Sequence, residues 1–556
     1  MAFLSDHPTV VAFAVLVLAW LAKFILHLHQ HRKKFSKLPG PPHHPLFGHL
    51  ISIGKVTTKL PTRVHPHALG THLQKEYNLP SIFYMDVYPF ETPMMLVADP
   101  DLSAAISADP AMYKSPRFHD FVAPIAGPKN MLLSEGAEWK QQRAAFNPGF
   151  SSQHVMEQVP NFLNVFEEFV TALDGHAARN DVFRLEEDVT KLTVDVIGKL
   201  VLDHDFNSFA GKNRFVSALR SVLSWMEDSQ SKNPFHRKNP IRKYALRYYK
   251  GKMDEYIGAI IDERFNARET TGSSTKRRKT GIDLALQAYF KESGQDIESK
   301  TAKLDPAFRT DIIDNMLILV FAGHDTTAST ICYIYHELSK HPDALSKVRR
   351  EMDDVFGTGV GALEQIRKDP YTINKCTYSL AVIKEVLRLW PPGSTIRAGR
   401  ADYFIKDPTT GDMLPTEGCQ VWPILHVMHR SPSLWGPTAN AFDPARFLAP
   451  QSDSIPPNAY RPFEKGPRNC IGQELALVEM RIVLALTIRE YDIAAAFDAL
   501  DALDGDGSIW ASFGASKSGP QECYGERMYQ VLMAAAKPAE GMPARVGKRE
   551  GWGGSA

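Results

Sequence analysis

The chain has 556 residues, a mass of 62.2 kDa and an ordinary globular composition, 44% hydrophobic and 23% charged, enough for a large core. Lysine plus arginine exceeds aspartate plus glutamate by 64 − 63 = +1, so bulk charge gives no argument for nucleic-acid binding. Five cysteines, at 332, 376, 419, 470 and 523, form no CxxC pair, which argues against a disulfide framework and against an iron–sulfur or zinc site.

At the N-terminus, VVAFAVLVLAWLAKFIL (residues 10–26) carries one charge, Lys23, close enough to an end to snorkel. Arg32, Lys33, Lys34 and Lys37 follow, whereas only Asp6 and the amino terminus precede. The positive-inside rule makes residues 1–37 a retained single-pass anchor with the rest of the chain in the cytoplasm. A cleaved signal peptide would carry its positive charge on the other side and end in a small-residue cleavage site. The prolines of LPGPPHHPLFGHL (38–50) predict a stiff, extended hinge, followed by a domain over 51–546 and a disordered tail over 547–556.

Residues 51–110 mix short β-like runs, SIFYMDV and MMLVADP, with one polar helical stretch, and the later pattern is mostly helical. RETTGSSTKRRKTG (268–281) reads as a solvated basic loop. FGTGVGAL (356–363) lacks the preceding strand that a dinucleotide-binding loop needs, so no flavin or nicotinamide module is visible.

TDIIDNMLILVFAGHDTTASTICYIYHELSKHP (310–342) predicts a long apolar helix closed by His341 and Pro342. Its centre is unusual. Gly323 costs about 1 kcal/mol against alanine, and the threonines can bond back to the preceding turn and bend the helix. A buried acid, Asp325, beside Thr326 and Thr327 is expensive. The segment is either a kinked core helix with satisfied polar groups or a proton-handling notch facing a pocket.

In KEVLRLWPPG (384–393), Glu385 and Arg388 share one helix face at i, i+3 among apolar neighbours, which predicts a buried pair. Such a pair needs further partners, and Arg446 of FDPARF (442–447) is a candidate. In PFEKGPRNCIGQELALVEM (462–480), Cys470 lies close to the start of an apolar helix, whose free N–H groups and dipole favour a thiolate. Gly466 and Gly472 allow a tight turn and close approach to a flat group, and Arg468 adds positive charge. The alternative is an inert buried cysteine.

Together these segments carry a resemblance. FEKGPRNCIG (463–472) resembles the haem-binding signature of the cytochrome P-450 superfamily, and AGHDTT (322–327) is similar to its oxygen-activation motif. Glu385 and Arg388 match its ExxR pair, and Trp139 and Arg143 of EWKQQR its WxxxR pair. FDPARF resembles its meander motif, with Ala445 where glutamate is frequent. The five occur in family order and cover residues 38 to about 546.

The resemblance implies a mainly α protein with small β-sheets (α+β), the cytochrome P-450 fold, behind a single N-terminal transmembrane helix. It implies haem b (iron protoporphyrin IX) with Cys470 as the metal's axial ligand. Trp139, Arg143, Arg397 and Arg468 would bind the propionates, Phe463 would shield the sulfur, and Gly472 would let the loop pack under the porphyrin. Asp325 and Thr326 would relay protons, while Glu385, Arg388 and Arg446 would hold the cysteine loop. His119, Phe321, Ala322, Ser394 and Gly541 would face the substrate.

The implied reaction inserts one atom of O2 into a bulky, largely apolar small molecule by hydroxylation, epoxidation or oxidative rearrangement. Electrons would come from NADPH through a separate NADPH–cytochrome P-450 reductase, with cytochrome b5 as a further partner, at the endoplasmic reticulum membrane. NMLLSEGAEWKQQRAAFNPGFS and YGERMYQVLMAAAKPAEGMPARV are similar to monooxygenases of filamentous-fungal secondary metabolism, which implies a polyketide-type scaffold. Fatty acids, terpenoids and xenobiotics stay open as substrates. An oxygen-independent rearrangement catalyst of the same fold commonly lacks the acid–threonine pair that is intact here. A haem sensor or electron carrier would not devote several apolar segments to a pocket. DALDGDGSIWASFGASKSGP (501–520) reads as an insert.

Overall fold

The computed structural model describes residues 8–211, 213–226, 239–267, 280–293, 304–358, 361–508, 510 and 519–549. Most of the basic loop at 268–281, part of the insert at 501–520, and residues 550–556 of the expected tail lie outside the described residues.

Short polar caps start many of the helices. Asp99, Ser115 and Asp305 each accept a first-turn N–H and are each followed by a proline, whose missing donor costs nothing there. Ser151 and Asn213 cap two more. In chain order the first nine helices are α1 (Pro8–Phe35), α2 (Leu50–Thr57), α3 (Pro66–Tyr77), α4 (Pro100–Ala108), α5 (Pro116–Ala126), α6 (Gly136–Phe146), α7 (Ser152–Arg179), α8 (Leu185–Leu202) and α9 (Arg214–Trp225). They are followed by α10 (Pro240–Ala267), α11 (Gly281–Ser293), α12 (Pro306–Lys340), α13 (Pro342–Phe356), α14 (Ala362–Lys368), α15 (Thr377–Leu389), α16 (Leu425–His429), α17 (Pro432–Trp435) and α18 (Gln473–Thr487).

The strands are short: β1 (Ile82–Met85), β2 (Met94–Val97), β3 (Phe183–Arg184), β4 (Arg397–Ala398), β5 (Phe404–Lys406), β6 (Met413–Pro415), β7 (Gln420–Pro423), β8 (Tyr491–Ala495), β9 (Gln530–Met533), β10 (Ala535–Pro538) and β11 (Pro543–Lys548). Among the described residues they form four small sheets, in the orders β1-β2-β7-β4, β10-β9, β3-β11-β8 and β5-β6. In the largest, Met95 pairs antiparallel with Tyr84 and parallel with Val421. The architecture is the expected one, mainly helical with small sheets.

Helix α12 runs through the centre. It is apolar and long enough to pass for a membrane span, but 83% of that apolar window is buried inside the protein. Its middle is not broken. The helix is continuous from Pro306 to Lys340, and Thr326 and Thr330 bond back to the carbonyls of Ala322 and Thr326 at 3.0 and 2.9 Å. Gly323 is there for packing. A Cβ at that position would lie 2.8 Å from Ile197 Cγ1, so the glycine lets α12 press against α8.

Two expected segment boundaries need correction. Residues 38–50 are not a free extended hinge. Tyr84 N–H donates to Pro39 O at 2.7 Å and His49 N–H to Asp86 O at 2.9 Å, so the segment lies along β1, whose edge needed those partners. At the other end, β11 pairs with β8 as far as Lys548, so the ordered chain extends beyond the expected start of the tail at 547.

Candidate active site

The loop before α18 turns on Gly466, at φ +82°, and Glu464, at φ +56°. Cys470 N–H donates to Phe463 O at 2.8 Å, which closes the loop. Gly472 is the residue before α18, at φ −86°, and a Cβ there would meet Cys470 Sγ only at an ordinary contact distance of 4.0 Å, so neither backbone angle nor space within the protein requires glycine. The sulfur opens into a cavity of about 250 Å³. Although its sulfur is open to that cavity, Cys470 lies deep in the protein. Burial pushes its thiol up, against the Gly472 amide and the Arg143 charge, which pull it down. Desolvation is the larger effect, and a bound metal cation would favour the thiolate further.

The walls of the cavity are mostly apolar, from Phe118, Leu132, Phe150, Leu319 and Ala322 to Pro392 and Phe463. Four cations are among its lining residues, Lys114, Arg397, Arg468 and the solvent-exposed Lys465. Lys114 was not anticipated. It is 8% exposed, donates to Thr395 Oγ1 at 2.7 Å, and burial with the neighbouring arginines pushes its ammonium well below the usual lysine range. Its signal was a lone lysine in the apolar turn MYKSP just before α5. Arg397 is 2% exposed and donates to Met112 O, but its Nε has no hydrogen-bond partner. Arg468 contacts Glu135 and Ser134 O, and its guanidinium lies 4.4 Å over the Trp139 ring. Two buried cations, Lys114 and Arg397, one of them with an orphaned donor, and the half-buried Arg468, beside a thiol and apolar walls, fit a planar group that carries two carboxylates and a metal.

Not every expected residue reaches that cavity. Arg143 donates to Asn469 O at 2.8 Å, Asn469 Oδ1 at 2.9 Å and Asn147 Oδ1 at 2.6 Å, so it braces the cysteine loop. Trp139 supports Arg468 from outside. Phe321 is buried against His324, while its neighbours Leu319, Ala322, Gly323 and Thr326 line the cavity. His119 is half-buried on α5 and outside the lining, where Phe118 takes the place expected of it. Gly541, at φ +68°, is filled against Trp510, whose Nε1 a Cβ would meet at 2.5 Å. Ser394 does line the cavity and accepts from Trp422 Nε1 at 2.8 Å.

Asp325 also differs from expectation. It is 1% exposed and is not among the lining residues, whereas its neighbour Thr326 is. Its carboxylate turns towards the C-terminal hairpin, accepting Ala535 N–H at 3.0 Å, with Lys537 Nζ 2.6 Å from Oδ1 as a charge contact and not an aligned hydrogen bond. Lys537 also donates to Glu186 Oε1 at 2.6 Å, and Trp510 Nε1 donates to Glu186 Oε2 at 2.9 Å. Burial alone would lower the Lys537 ammonium, but the two carboxylates outweigh it and hold it above the usual range. A buried acid needs such a partner, and Lys537 is the single charge in the apolar run VLMAAAKPA.

Below the cavity, Glu385 and Arg388 form a bidentate pair at 2.7 Å, both 0% exposed. Arg388 also donates to the carbonyls of His429, Ala439 and Ala441. Asp443 N–H donates to Glu385 Oε1 at 2.9 Å, and Arg446 Nε stands 3.5 Å from the same oxygen. Glu385, Arg388, Asp443 and Arg446 are not among the residues that line the cavity, as a scaffold would have it.

The family model described as Cytochrome P450 matches residues 38–502. The chain is 34% identical to cytochrome P450 monooxygenase polC of Polytolypa hystricis, over 96% of this chain and 95% of that protein. It is also 34% identical to cytochrome P450 monooxygenase acrF of Aspergillus aculeatus, over 89% of this chain and 100% of the other. Among solved structures, a cytochrome P450 (CYP102L1) superposes with a TM-score of 0.70 at 22% identity, covering 92% of this chain and 99% of that one.

Proposed function

The chain belongs to the cytochrome P450 family, and from that premise we propose a haem-thiolate monooxygenase that inserts one atom of O2 into a bulky, largely apolar small molecule of fungal secondary metabolism, of polyketide type. The observation that carries this reading is the Cys470 sulfur opening into an apolar-walled cavity rimmed by Lys114, Arg397 and Arg468.

Cys470 would bind the iron of haem b, and Lys114, Arg397 and Arg468 would take its propionates. Bound there, haem supplies oxygen activation, with thiolate donation favouring O–O cleavage. The remaining work falls to side chains. Phe463 covers one flank of the sulfur, and Arg143 holds the loop that presents it. Phe118, Leu132 and Leu319 exclude water and press an apolar substrate inward. The Ser394 hydroxyl, whose oxygen is already used by Trp422, keeps its proton free for one polar substituent. The Thr326 hydroxyl, on the cavity wall, would pass on a proton that the reaction consumes, and Asp325 would replace it after its carboxylate leaves Lys537 and takes a proton from water. Two electrons and two protons reduce the second oxygen atom to water. The electrons come from NADPH through a separate reductase, with cytochrome b5 as a further donor. Helix α1 holds the enzyme in the endoplasmic reticulum membrane with the domain in the cytoplasm.

The test is the carbon monoxide difference spectrum of the reduced, membrane-bound protein, followed by turnover with reductase, NADPH and O2. A strongly red-shifted Soret band with oxygen-dependent product supports the reading. A band at the histidine–haem position would sink the Cys470 assignment. Turnover with peroxide and no reductase would favour rearrangement chemistry.

A further inference from the structure

The base of the anchor helix is built into the domain. Arg32, 4% exposed in its side chain, turns away from the solvent that Lys33 and Lys34 face and donates to Asp86 Oδ2 at 2.5 Å, to Tyr88 O, and to Leu46 O at 3.2 Å. All three guanidinium nitrogens are engaged, on two separate segments of the domain. Asp86, 0% exposed, also faces His31 Nε2 and His43 Nε2, each at 3.0 Å, and accepts Tyr88 N–H at 3.3 Å. The His31 ring stacks between Phe35 and Tyr88, at 4.6 Å from each, and Phe35 is 2% exposed. Gly48, at φ +59°, leaves room for the clamp, since a Cβ there would strike Arg32 Nη1 and the Asp86 carbonyl. A membrane stop signal needs only basic residues in water. A buried arginine on a buried aspartate is costly, and its return is a fixed geometry.

The exposed apolar residues sit around this clamp. Leu46, whose carbonyl Arg32 holds, is 55% exposed, Phe47 next to it 46%, and Phe90, two residues beyond Tyr88, 72%. Helix α1 is itself apolar and exposed along residues 12–22. We propose that the Arg32–Asp86 clamp makes the anchor helix and the haem domain one rigid body, so that the domain meets the membrane at a single fixed tilt with Leu46, Phe47 and Phe90 in the lipid boundary around the helix base. The occupant of that collar is the bilayer the helix enters, because Arg32 at the base of that helix holds both segments that carry the collar. This rests on reading α1 as a membrane span.

The experiment uses the full chain with haem in phosphatidylcholine nanodiscs aligned on a surface. Linear dichroism of the haem band reads the tilt, and polarity-sensitive labels on Phe47→Cys and Phe90→Cys read lipid contact. The wild type should show strong dichroism and blue-shifted labels. Asp86→Ala and Arg32→Gln should drop the dichroism to the isotropic value while the carbon monoxide spectrum stays unchanged. Wild-type dichroism in both variants, or labels that remain in water, would overturn the proposal. Flotation of the wild type with vesicles tests the anchor separately. Protein that fails to float refutes the span itself, whereas protein that floats but is isotropic refutes only the clamp.

Discussion

Lys537 lies 2.6 Å from Asp325 and 2.6 Å from Glu186, so one buried ammonium from the hairpin β9–β10 holds together carboxylates on α12 and α8. Removing it leaves two acids in a dry space. Lys537→Met should cost about 3–5 kcal/mol in chemical denaturation, the range for stripping one partner from a buried ion pair. Lys537→Arg should recover part of that. The same Met variant should waste NADPH as peroxide, measured as product formed per NADPH consumed, because Asp325 is no longer held beside Thr326 in one orientation.

Cys470→Ser should abolish the red-shifted carbon monoxide band and leave the fold intact. The side chain faces the cavity and makes no side-chain hydrogen bond on which the core depends. Circular dichroism and the Soret position, measured on one sample, separate loss of ligation from loss of folding.

Thr326→Ala should keep the thiolate spectrum and leak peroxide. Its hydroxyl bonds only to the Ala322 carbonyl, already part of a helix, so its removal costs less than about 1 kcal/mol. A variant with full coupling would take Thr326 out of the proton path.

Asp195 predicts a pH dependence of stability. It is 3% exposed and accepts from Ser208 N and Oγ at 2.8 and 2.6 Å. Burial, partly offset by those bonds, pushes its pKa up to about 6 from 3.8. The folded state therefore holds the proton more tightly than the unfolded chain, and stability falls as pH rises from 3.8 to about 6, then flattens. The loss is at most about 3 kcal/mol at 1.36 kcal/mol per pKa unit. Asp195→Asn should remove this slope and be the more stable protein at neutral pH, read from denaturation midpoints at a series of pH values.

Glu385→Gln should be among the most damaging single-atom changes. It replaces one oxygen of a bidentate pair by a donor that faces the Arg388 fork, deep in a network with no solvent to relax it. A loss of about 3 kcal/mol or more, or failure to retain haem, is expected.

Local spacing made part of this molecule readable. Glu385 and Arg388 are one helical turn apart, and the glycines around Cys470 announce a special backbone. What the chain alone could not convey was long-range pairing. The partner of Asp325 is a lysine in another sheet, and Arg32 looked like a membrane stop because Asp86 is far away in sequence. Prolines at 39, 41 and 42 signalled stiffness correctly, but a stiff segment can lie along a strand edge as well as span open water. Gly323 looked like a weakness in a helix, yet it marks where two helices touch. Phe321 and Ala322 are adjacent, and only the helix's rotation decides which one faces the cavity.

The distance along the chain between Lys537 and Glu186 is 351 residues, which bears on how the polypeptide is made. Domains form from the N-terminal side as synthesis proceeds. Helices α8 and α12 leave the ribosome long before residue 537, each carrying an acid with no counterion. Until the hairpin emerges, packing those two helices together would bury unpaired charge, so the nascent chain has a built-in reason to delay closing its centre. Haem capture would then fall late, after the last cation has arrived.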